Sequence, residues 1–413
     1  MSGIIVIGGG IAGLSFALGL QQRGISCRVY ESAPEIRELG VGITLLPHAM
    51  REFIALGLED RLRAVAIENE ESVFFNRHGQ FIYREPRGRH AGYPFPELGI
   101  HRGKLHRILY EAARERLGPA NVLIDHHCTG IEQDETGVTV FFKETSSGAG
   151  RAQVRGDVAV ACDGINSIVR RKFYPDEQVA FAGINTWRGV TRRKPILTGR
   201  SYLRIGSVEN GKMVIYPIID AVDGEGNQLV NWMAEVRQAN VEMNDWNKPG
   251  RMEDFAPIYQ GWHFDWLDVP ELIATADQIL EYPMVDKDPV SQWTFGRITL
   301  MGDAAHPMYP RGSNGAAQGV IDARTLADLI AGTPDRRAAL VAYQDARLEA
   351  TARVVRTNRE FPPDFINIKV DELTGGKPFG SIDDVISQEE LRAISESYKR
   401  IAGFALDALK PPA

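Results

Sequence analysis

The sequence predicts an α/β fold in which a parallel-sheet domain is interrupted by an antiparallel sheet and followed by C-terminal helices. Three observations support this prediction. A strand, a glycine-rich turn, a helix and a second strand begin the 413-residue chain, an order typical of parallel sheets. Short alternating strands fill the middle of the chain, and amphipathic helices dominate its last quarter.

The first element runs from Ile4 to Glu31 and contains a fingerprint for a dinucleotide. Gly8, Gly10 and Gly13 have the G-x-G-x-x-G spacing, which allows a tight turn, a close approach to pyrophosphate and helix-on-strand packing. Glu31 ends the second strand, where an acid accepts from ribose hydroxyls and disfavours a 2′-phosphate. The stretch predicts a Rossmann-like domain that binds FAD or NAD rather than NADP. The alternative is a glycine-rich turn in an ordinary α/β protein.

Composition excludes several other classes of protein. The net charge of −7 and the lack of a sustained basic stripe argue against nucleic-acid binding. Cys27, Cys128 and Cys162 are widely spaced, which predicts neither a disulfide framework nor a metal site. The first residues carry no leader pattern and the chain has no apolar run of membrane-spanning length. We therefore expect a cytoplasmic protein without a membrane partner, either a monomer or a homodimer.

Two later strands end in turns that could face the same ligand. One stops at Asp163-Gly164, and another delivers Gly302-Asp303. Ligands of parallel sheets bind at the carboxyl ends of the strands. The loop from Pro310 to Gly315 then opens a helix whose positive dipole end favours developing negative charge. Arg102, at the start of another predicted helix, could reach a phosphate or ribityl oxygen, or could simply be solvated.

Strands with turns between them follow from residue 181 to residue 282 and predict the antiparallel sheet. The aromatic residues on these strands, including Trp187 and Tyr216, could form a core or line a flat apolar pocket. Further on, the segment 360–381 contains Pro362, Pro363 and Gly375-Gly376, and we expect it to break the C-terminal helices.

These motifs, in this order, resemble those of the single-component flavoprotein aromatic hydroxylases of the para-hydroxybenzoate hydroxylase type. The three matching stretches are GGGIAG at Gly8–Gly13, the pair Asp163-Gly164, and GDAAHP at Gly302–Pro307, and the resemblance runs from about Gly3 to Tyr343. Within that family the chain is most similar to the phenazine-hydroxylase branch of pyocyanin biosynthesis. RELGVGI at Arg37–Ile43 and GDAAHPMYPRGSNGAAQ at Gly302–Gln318 carry this likeness.

The resemblance implies a bound FAD, NADH or NADPH as co-substrate, and O2. It implies a monooxygenase that hydroxylates a small aromatic or heteroaromatic substrate through a flavin C4a-hydroperoxide, without an acid/base triad. A carboxylate substrate hydroxylated at its carboxyl-bearing carbon would release CO2. The implied cofactor-binding residues are Gly8, Gly10, Ala12, Gly13, Glu31, Arg102, Asp163, Asp303, Pro310, Gly312, Asn314 and Gly315. The candidate substrate-pocket residues are Val41, Trp187, Tyr216, Met308 and Tyr309.

The same likeness gives the expected domain organisation. The FAD-binding domain would comprise residues 1–72, 97–180 and 285–355, the substrate domain residues 73–96 and 181–284, and a C-terminal helical segment residues 356–413. Two other functions stay open at this point. A dehydrogenase would explain the first glycine motif but would leave the D-G and G-D motifs without a role. A non-catalytic flavin-binding protein would use all three motifs without turnover.

Overall fold

The structure, a computed structural model, describes residues 3–38, 40–238 and 248–409. Residues 1, 2, 39, 239–247 and 410–413 fall within the predicted domain ranges but lie outside the described residues. In the described part of the chain, 22 strands and 11 α-helices alternate.

The helices are α1 (Ile11–Gln22), α2 (Pro47–Ala55), α3 (Glu59–Arg63), α4 (Arg102–Leu117), α5 (Ile168–Phe173), α6 (Val269–Ala274), α7 (Gly315–Gly332), α8 (Arg336–Glu360), α9 (Phe365–Thr374), α10 (Gln388–Ile401) and α11 (Leu406–Leu409). The first eleven strands are β1 (Ile4–Ile7), β2 (Cys27–Tyr30), β3 (Gly42–Leu45), β4 (Ala66–Glu68), β5 (Glu71–Phe75), β6 (Phe81–Pro86), β7 (Leu98–His101), β8 (Val122–Leu123), β9 (His127–Gln133), β10 (Val138–Lys143) and β11 (Val154–Gly156). The others are β12 (Val158–Ala161), β13 (Ala180–Arg193), β14 (Ser201–Ser207), β15 (Gly211–Ile219), β16 (Gln228–Arg237), β17 (Lys248–Pro249), β18 (His263–Phe264), β19 (Leu267–Asp268), β20 (Ala276–Asp286), β21 (Thr294–Phe295) and β22 (Ile298–Leu300).

A six-stranded sheet in the order β21-β22-β12-β1-β2-β8 forms the centre of the cofactor-binding part. All its pairings are parallel except that of β21 with β22. Strands β1 and β12 are apolar and buried at every position, which fits a parallel sheet covered on both faces. Because β1 lies between β12 and β2, the turns after β1, β12 and β22 meet at one edge of the sheet, as predicted.

An eight-stranded sheet in the order β17-β20-β13-β16-β15-β14-β5-β6 forms the second part. The predicted antiparallel sheet is confirmed, with one exception: β14 and β5 pair in parallel. The exception arises because β5 and β6 are a hairpin from a distant segment, whereas the other six strands come from residues 180–286. A hairpin that arrives separately can join an edge strand in either direction.

The C-terminal helices cover this hairpin. Ile366 and Val370 of α9 and Leu391 of α10 share one apolar core with Phe74 and Ile82 of β5 and β6. The helix α8 ends at Glu360, as expected of the segment 360–381, but the short helix α9 between the proline pair and the glycine pair was not expected. Proline is tolerated just before a helix and glycine just after one, so both pairs delimit α9.

Candidate active site

The candidate site is a cavity of about 390 Å³ between the carboxyl edge of the six-stranded sheet and one face of the eight-stranded sheet. A second cavity, of about 480 Å³, adjoins it beside β2. The two share Gly10, Ile11 and Arg102 in their walls, so together they form one long site. An extended ligand with two distinct ends fits this shape better than a compact one.

The turn between β1 and α1 places backbone, rather than side chains, against the cavity. Gly8 has a φ of +101°, and a Cβ there would lie 2.4 Å from the carbonyl oxygen of Cys162. A Cβ on Gly13 would lie 2.1 Å from the carbonyl oxygen of Gly8. A Cβ on Gly10 would meet no atom within 4 Å, because Gly10 opens into the cavity. Gly8 and Gly13 therefore build the turn, whereas Gly10 and Ala12 line the site.

Glu31 lies in the wall of the second cavity, where it also shapes the turn. One of its carboxylate oxygens accepts from the backbone N–H of Gly9 at 2.6 Å, and the other accepts from that of Ala33 at 2.7 Å. The Arg102 side chain is exposed between the two cavities, and its backbone N–H donates to Val41 at 2.9 Å. An acid at one end and an arginine at the junction suit a ribose and a pyrophosphate.

The D-G motif meets the cavity through Gly164 and Cys162, not through Asp163 itself. The Asp163 carboxylate accepts from the backbone N–H of Ile168 at 2.9 Å, at the start of α5. Its other oxygen, Oδ1, is buried without a hydrogen-bond partner in the described part of the chain. Burial raises the pKa of Asp163 above its ordinary value.

The G-D motif brings a carboxylate into the cavity wall. Gly302 has a φ of +60° and packs against Ala12, so the turn after β22 touches the start of α1. The accessible surface of Asp303 faces the cavity that it lines, and desolvation there raises its pKa while His306 and Arg102 oppose the shift. This carboxylate is available to accept from ligand hydroxyls.

Asp322 supports that turn from beneath. Its carboxylate accepts from the backbone N–H of Gly302 at 3.2 Å and lies 2.5 Å from His306 Nε2 and 2.8 Å from Arg347 Nε. Burial alone would raise the pKa of Asp322, but His306 and Arg347 lower it to about 2. The turn that carries Asp303 is therefore held by a buried, ionised partner.

The loop before α7 closes the cavity at its inner end. Pro310, Ser313, Asn314 and Gly315 line the cavity, and α7 begins at Gly315 with its N-terminus facing it. Gly312, with a φ of +79°, lies behind this lining. Free N–H groups and the helix dipole at this end favour a negatively charged ring system.

Side chains from the eight-stranded sheet form the opposite wall. Tyr202 and Tyr216 stack with centroids 4.9 Å apart and an interplanar angle of 8°. Asn231 accepts from the backbone N–H of Gly42 at 2.7 Å and so fixes the loop that presents Val41. The same sheet also contributes Arg188, Asn231, Met233 and Tyr282 to the cavity lining. Residues next to this wall but outside the sheet complete it, namely Val41, Ile43, Thr44 and Met308. The stacked tyrosine pair gives this wall a planar aromatic surface, which suits an aromatic ring.

Arg188 is the charged group in this wall. It is half-buried, and its guanidinium carbon lies 5.2 Å from the ring centroid of Tyr282. Its Nε has no hydrogen-bond partner, and the structure gives it no ion pair with any described residue. The nearby acid, Glu235, already binds Lys212 at 2.9 Å. Desolvation lowers the pKa of Arg188, so an anionic ligand here would relieve an uncompensated cation.

Two of the predicted pocket residues do not line the cavity. Trp187 is fully buried on the other face of β13, stacked on Phe255 at a centroid distance of 4.9 Å. Tyr309 packs against Ile184 and Met284, and its hydroxyl donates to the Ala180 carbonyl at 3.4 Å. These two predictions were wrong for different reasons. Trp187 lies on a strand, where an aromatic side chain can face either layer, whereas Tyr309 lies in the loop before α7 and turns into a separate apolar cluster. The structure does bring Val41, Tyr216 and Met308 to the cavity.

Sequence reasoning missed Arg188 and Met233 and did not select Tyr202, Asn231 or Tyr282. A signal for Arg188 was present, since a charged residue in an apolar strand interior needs a reason to be there. Side chains alternate along a strand, so Trp187 in the core places Arg188 on the cavity face. Tyr202, Met233 and Tyr282 give no comparable signal, whereas Asn231, a polar residue of a type depleted in strands, gives a weak one.

The residues present fit FAD. Backbone N–H groups at the start of α1 suit the pyrophosphate, Glu31 suits the adenosine ribose, and Asp303 suits the ribityl hydroxyls. The open space at Gly10 leaves room for the close approach of a phosphate. No helix among the described residues is both long and apolar enough to cross a bilayer.

Comparisons with known proteins agree with this fit. A family model described as FAD binding domain matches residues 1–358. Phenazine 1,6-dicarboxylic acid hydroxylase PhzS of Lysobacter antibioticus is 37% identical over 403 residues, 96% of each chain. The 3-hydroxybenzoate 6-hydroxylase of Polaromonas naphthalenivorans is 32% identical over 371 residues, 86% of each chain. The crystal structure of Klebsiella pneumoniae HpxO with FAD and uric acid has a TM-score of 0.77 at 23% identity, covering 99% of this chain and 96% of that one.

Proposed function

The chain belongs to the family of FAD-dependent aromatic hydroxylases, and from that premise we propose that its substrate is a planar aromatic carboxylate bound through Arg188. The family membership makes the protein a flavin monooxygenase of aromatic or heteroaromatic substrates, which favours neither a dehydrogenase nor a non-catalytic flavoprotein. The observation that carries the finer proposal is the half-buried guanidinium of Arg188, which has no carboxylate partner among the described residues.

The chemistry of Arg188 supports a carboxylate rather than a neutral polar group. A guanidinium presents a planar fork of donors that matches a carboxylate, and partial burial strengthens such a pair. Leaving the cation unpaired costs stability, so the folded protein gains when an anion enters. The names of the two curated relatives point the same way, since phenazine 1,6-dicarboxylic acid and 3-hydroxybenzoate are both aromatic carboxylates.

The aromatic part of the substrate would lie against the flat wall. The stacked rings of Tyr202 and Tyr216 give a planar apolar surface, and Met233 and Met308 can adapt to rings of different width. Val41 lies between this wall and the cofactor side, held by Asn231 through Gly42 and by the N–H of Arg102. A fused heteroaromatic carboxylate would fill such a space.

The residues that would hold FAD are those of the cofactor side. Glu31 would take the adenosine ribose, Gly10 and the start of α1 the pyrophosphate, Asp303 the ribityl chain, and the loop Pro310–Gly315 the pyrimidine edge of the ring. FAD, when bound, supplies electrons from NADH or NADPH and the activation of O2. The chain itself excludes water, orients the aromatic ring and stabilises negative charge with the N-terminus of α7.

Arg188 bears on whether CO2 is lost. Hydroxylation at a carboxyl-bearing carbon converts a carboxylic acid, O2 and NAD(P)H with one proton into a phenol, CO2, NAD(P)+ and water. A carboxylate anchored by Arg188 would be retained if another ring carbon reacts. We therefore propose that CO2 is lost only from a substrate whose carboxylate is on the carbon that reacts.

The test is a panel of matched aromatics with the FAD-loaded enzyme. Phenazine, quinoline and benzene carboxylates are each compared with the corresponding carboxamide, by substrate-stimulated oxidation of NADH and of NADPH and by oxygen incorporation. We expect kcat/KM to favour the carboxylate by about 100-fold, the magnitude of a buried charged hydrogen-bonded pair. Measured CO2 release then identifies the substrates whose carboxyl-bearing carbon is the one hydroxylated.

Variants of Arg188 assign that preference to one side chain. Arg188→Gln should reduce the carboxylate preference to within about threefold, and Arg188→Lys should keep part of it as a point charge. The matched control is Arg192→Gln on the same strand, since Arg192 is exposed and pairs with Asp277 at 3.0 Å. Equal rates with carboxylate and carboxamide in the unaltered enzyme, or an unchanged preference in Arg188→Gln, would refute the proposal.

A further inference from the structure

The loop Pro310–Gly315 is held from outside the cavity by the last helices of the chain. Within the loop, Asn314 is buried, and its side-chain amide donates to the hydroxyl of Tyr398 in α10 at 2.8 Å. That hydroxyl in turn donates to Asn358 Oδ1 in α8 at 2.9 Å. We propose that Tyr398 is a positioning residue that completes the flavin site by fixing the Asn314 amide and the loop around it.

The Asn314 amide is held at both of its ends. Its Oδ1 lies 3.2 Å from Nε2 of His48, and its Nδ2 donates to Tyr398 and also to the Gly312 carbonyl at 3.2 Å. Burial lowers the pKa of His48 to about 3, so the imidazole is neutral and donates through Nε2. The oxygen of the amide thus faces a donor and its nitrogen faces two acceptors, so the amide has one orientation.

Tyr398 also sets the backbone of the loop by contact. Gly312 has a φ of +79°, and a Cβ there would lie 1.8 Å from the Tyr398 hydroxyl. Only glycine fits between this hydroxyl and the rest of the loop. Asn358 holds the residue that precedes the loop, since its Nδ2 donates to the carbonyl of Tyr309 at 3.3 Å. The Tyr398 hydroxyl therefore lies at the centre of the contacts that define the loop.

The residues that follow α10 also contact the surroundings of the loop Pro310–Gly315, through His48 and through α7. The ring of Phe404 stacks on His48 with centroids 5.0 Å apart and an interplanar angle of 7°. Gln318, in the first turns of α7, donates to the carbonyl of Ala402 at 3.2 Å. Residues 398–404 therefore contact both the loop and the helix whose N-terminus faces the cavity.

These residues lie outside the part of the chain that the family model matches, which ends at residue 358. We thus assign a function to residues 398–404, which the matched family region does not include. It rests on the proposal that Pro310–Gly315 faces the isoalloxazine, but it does not depend on the substrate. An enzyme that binds FAD normally and accepts no aromatic carboxylate would refute the Arg188 proposal and leave this one standing.

The test compares two Tyr→Phe variants. Tyr398→Phe removes the hydroxyl that joins Asn314 to Asn358. The matched control is Tyr93→Phe, because Tyr93 is buried in the same apolar cluster and its hydroxyl donates to the Phe404 carbonyl at 2.7 Å without touching the loop. For both variants we measure the FAD dissociation constant of the apoprotein, the absorption spectrum of the bound flavin and its midpoint potential.

We expect Tyr398→Phe to raise the FAD dissociation constant about tenfold, the effect of one buried hydrogen-bond link. The flavin absorption band and the midpoint potential should shift with it, because the loop dipoles around the ring are no longer fixed. Tyr93→Phe should leave all three unchanged. Unaltered values in Tyr398→Phe, or equal changes in both variants, would overturn the proposal, since the second outcome indicates a general loss of C-terminal packing.

A second substitution keeps the test decisive if Tyr398→Phe does not fold. Asn358→Ala removes both the acceptor that orients the Tyr398 hydroxyl and the donor to the Tyr309 carbonyl, and Asn358 lies in α8 outside the cavity lining. It should shift the same flavin readouts in the same direction. The double variant should change FAD affinity by less than the product of the two single effects. Normal flavin properties in Asn358→Ala would also count against Tyr398 as a positioning residue.

Discussion

The two sides of the cavity are built by different means. On the cofactor side, turns bring backbone to the surface, and glycines such as Gly10 and Gly302 allow the close approach. On the substrate side, side chains such as Arg188 and Tyr216 project from strands of the eight-stranded sheet. A site made of backbone restricts the sequence at every turn, whereas a site made of strand side chains restricts only which residues share a face.

The two sides also differ in whether a buried charged side chain has a partner of opposite charge. Asp322 on the cofactor side is fully buried and has two cationic or hydrogen-bonding partners, His306 and Arg347. Arg188 on the substrate side is half-buried and has no anionic partner within the described residues. A satisfied charge supports the fold, while an unsatisfied one lowers stability and is retained where a ligand completes it.

The largest expected effect separates two glycines of one motif. Gly13→Ala places a Cβ 2.1 Å from the Gly8 carbonyl, so the turn must shift. We expect it to lower the unfolding free energy of the apoprotein by about 3 kcal/mol and to weaken FAD binding at least 100-fold. Denaturant unfolding of the apoprotein and FAD titration measure the two quantities separately.

Gly10→Ala is the matched substitution. Gly10 has an extended backbone with φ of −74° and ψ of −173°, and its Cβ would meet open space. Apoprotein stability should therefore stay within about 0.5 kcal/mol of the unaltered value, whereas FAD affinity should fall because the new methyl group enters the cavity. If both variants lost stability equally, Gly10 would belong to the turn rather than to the ligand surface.

This difference explains what the sequence could predict. The order of strand, glycine turn and helix, with Glu31 after it, predicted the parallel sheet correctly, and the cavities lie at the edge of the sheet where a ligand was expected. Gly8 and Gly13 are sterically required in this turn, since a Cβ would lie 2.4 Å from the Cys162 carbonyl oxygen and 2.1 Å from the Gly8 carbonyl oxygen respectively. Local geometry of this kind is encoded by adjacent residues.

The substrate wall was harder to predict because it depends on distant pairing. Trp187 and Arg188 are neighbours in sequence, and only the register of β13 between β16 and β20 decides which of them faces the cavity. The contribution of Tyr398 was not predictable either, since it lies 84 residues from Asn314. Contacts between such distant positions leave no pattern in one sequence.

The next effect concerns the paired charge. Because Asp322 has a folded-state pKa of about 2, below its ordinary value, its ionised form stabilises the native state. This contribution is fully present above about pH 4 and is lost as the pH falls towards 2. We expect the difference in unfolding free energy between the unaltered apoprotein and Asp322→Asn to shrink by about 2 kcal/mol between pH 5 and pH 2.

Urea unfolding at several pH values measures that difference. The matched control is Asp328→Asn, since Asp328 lies in the same helix but is exposed. Its effect should vary by no more than a few tenths of a kcal/mol over the same range, because exposed ion pairs contribute little. A pH-independent difference for Asp322→Asn would mean that the pair with His306 and Arg347 does not stabilise the ionised form.

The smallest expected effect sharpens the division within β13. Trp187→Phe should cost about 1 kcal/mol of stability, because the stacking on Phe255 is reduced while a buried indole N–H without a partner among the described residues is removed. Its kcat/KM for a carboxylate substrate should stay within twofold of the unaltered value. Arg188→Gln, one position along, should do the reverse: it should preserve or raise stability and reduce the carboxylate preference to within about threefold. Because these adjacent residues face opposite layers, each variant is the control for the other. A changed substrate preference in Trp187→Phe would indicate that Trp187 does contribute to the substrate pocket.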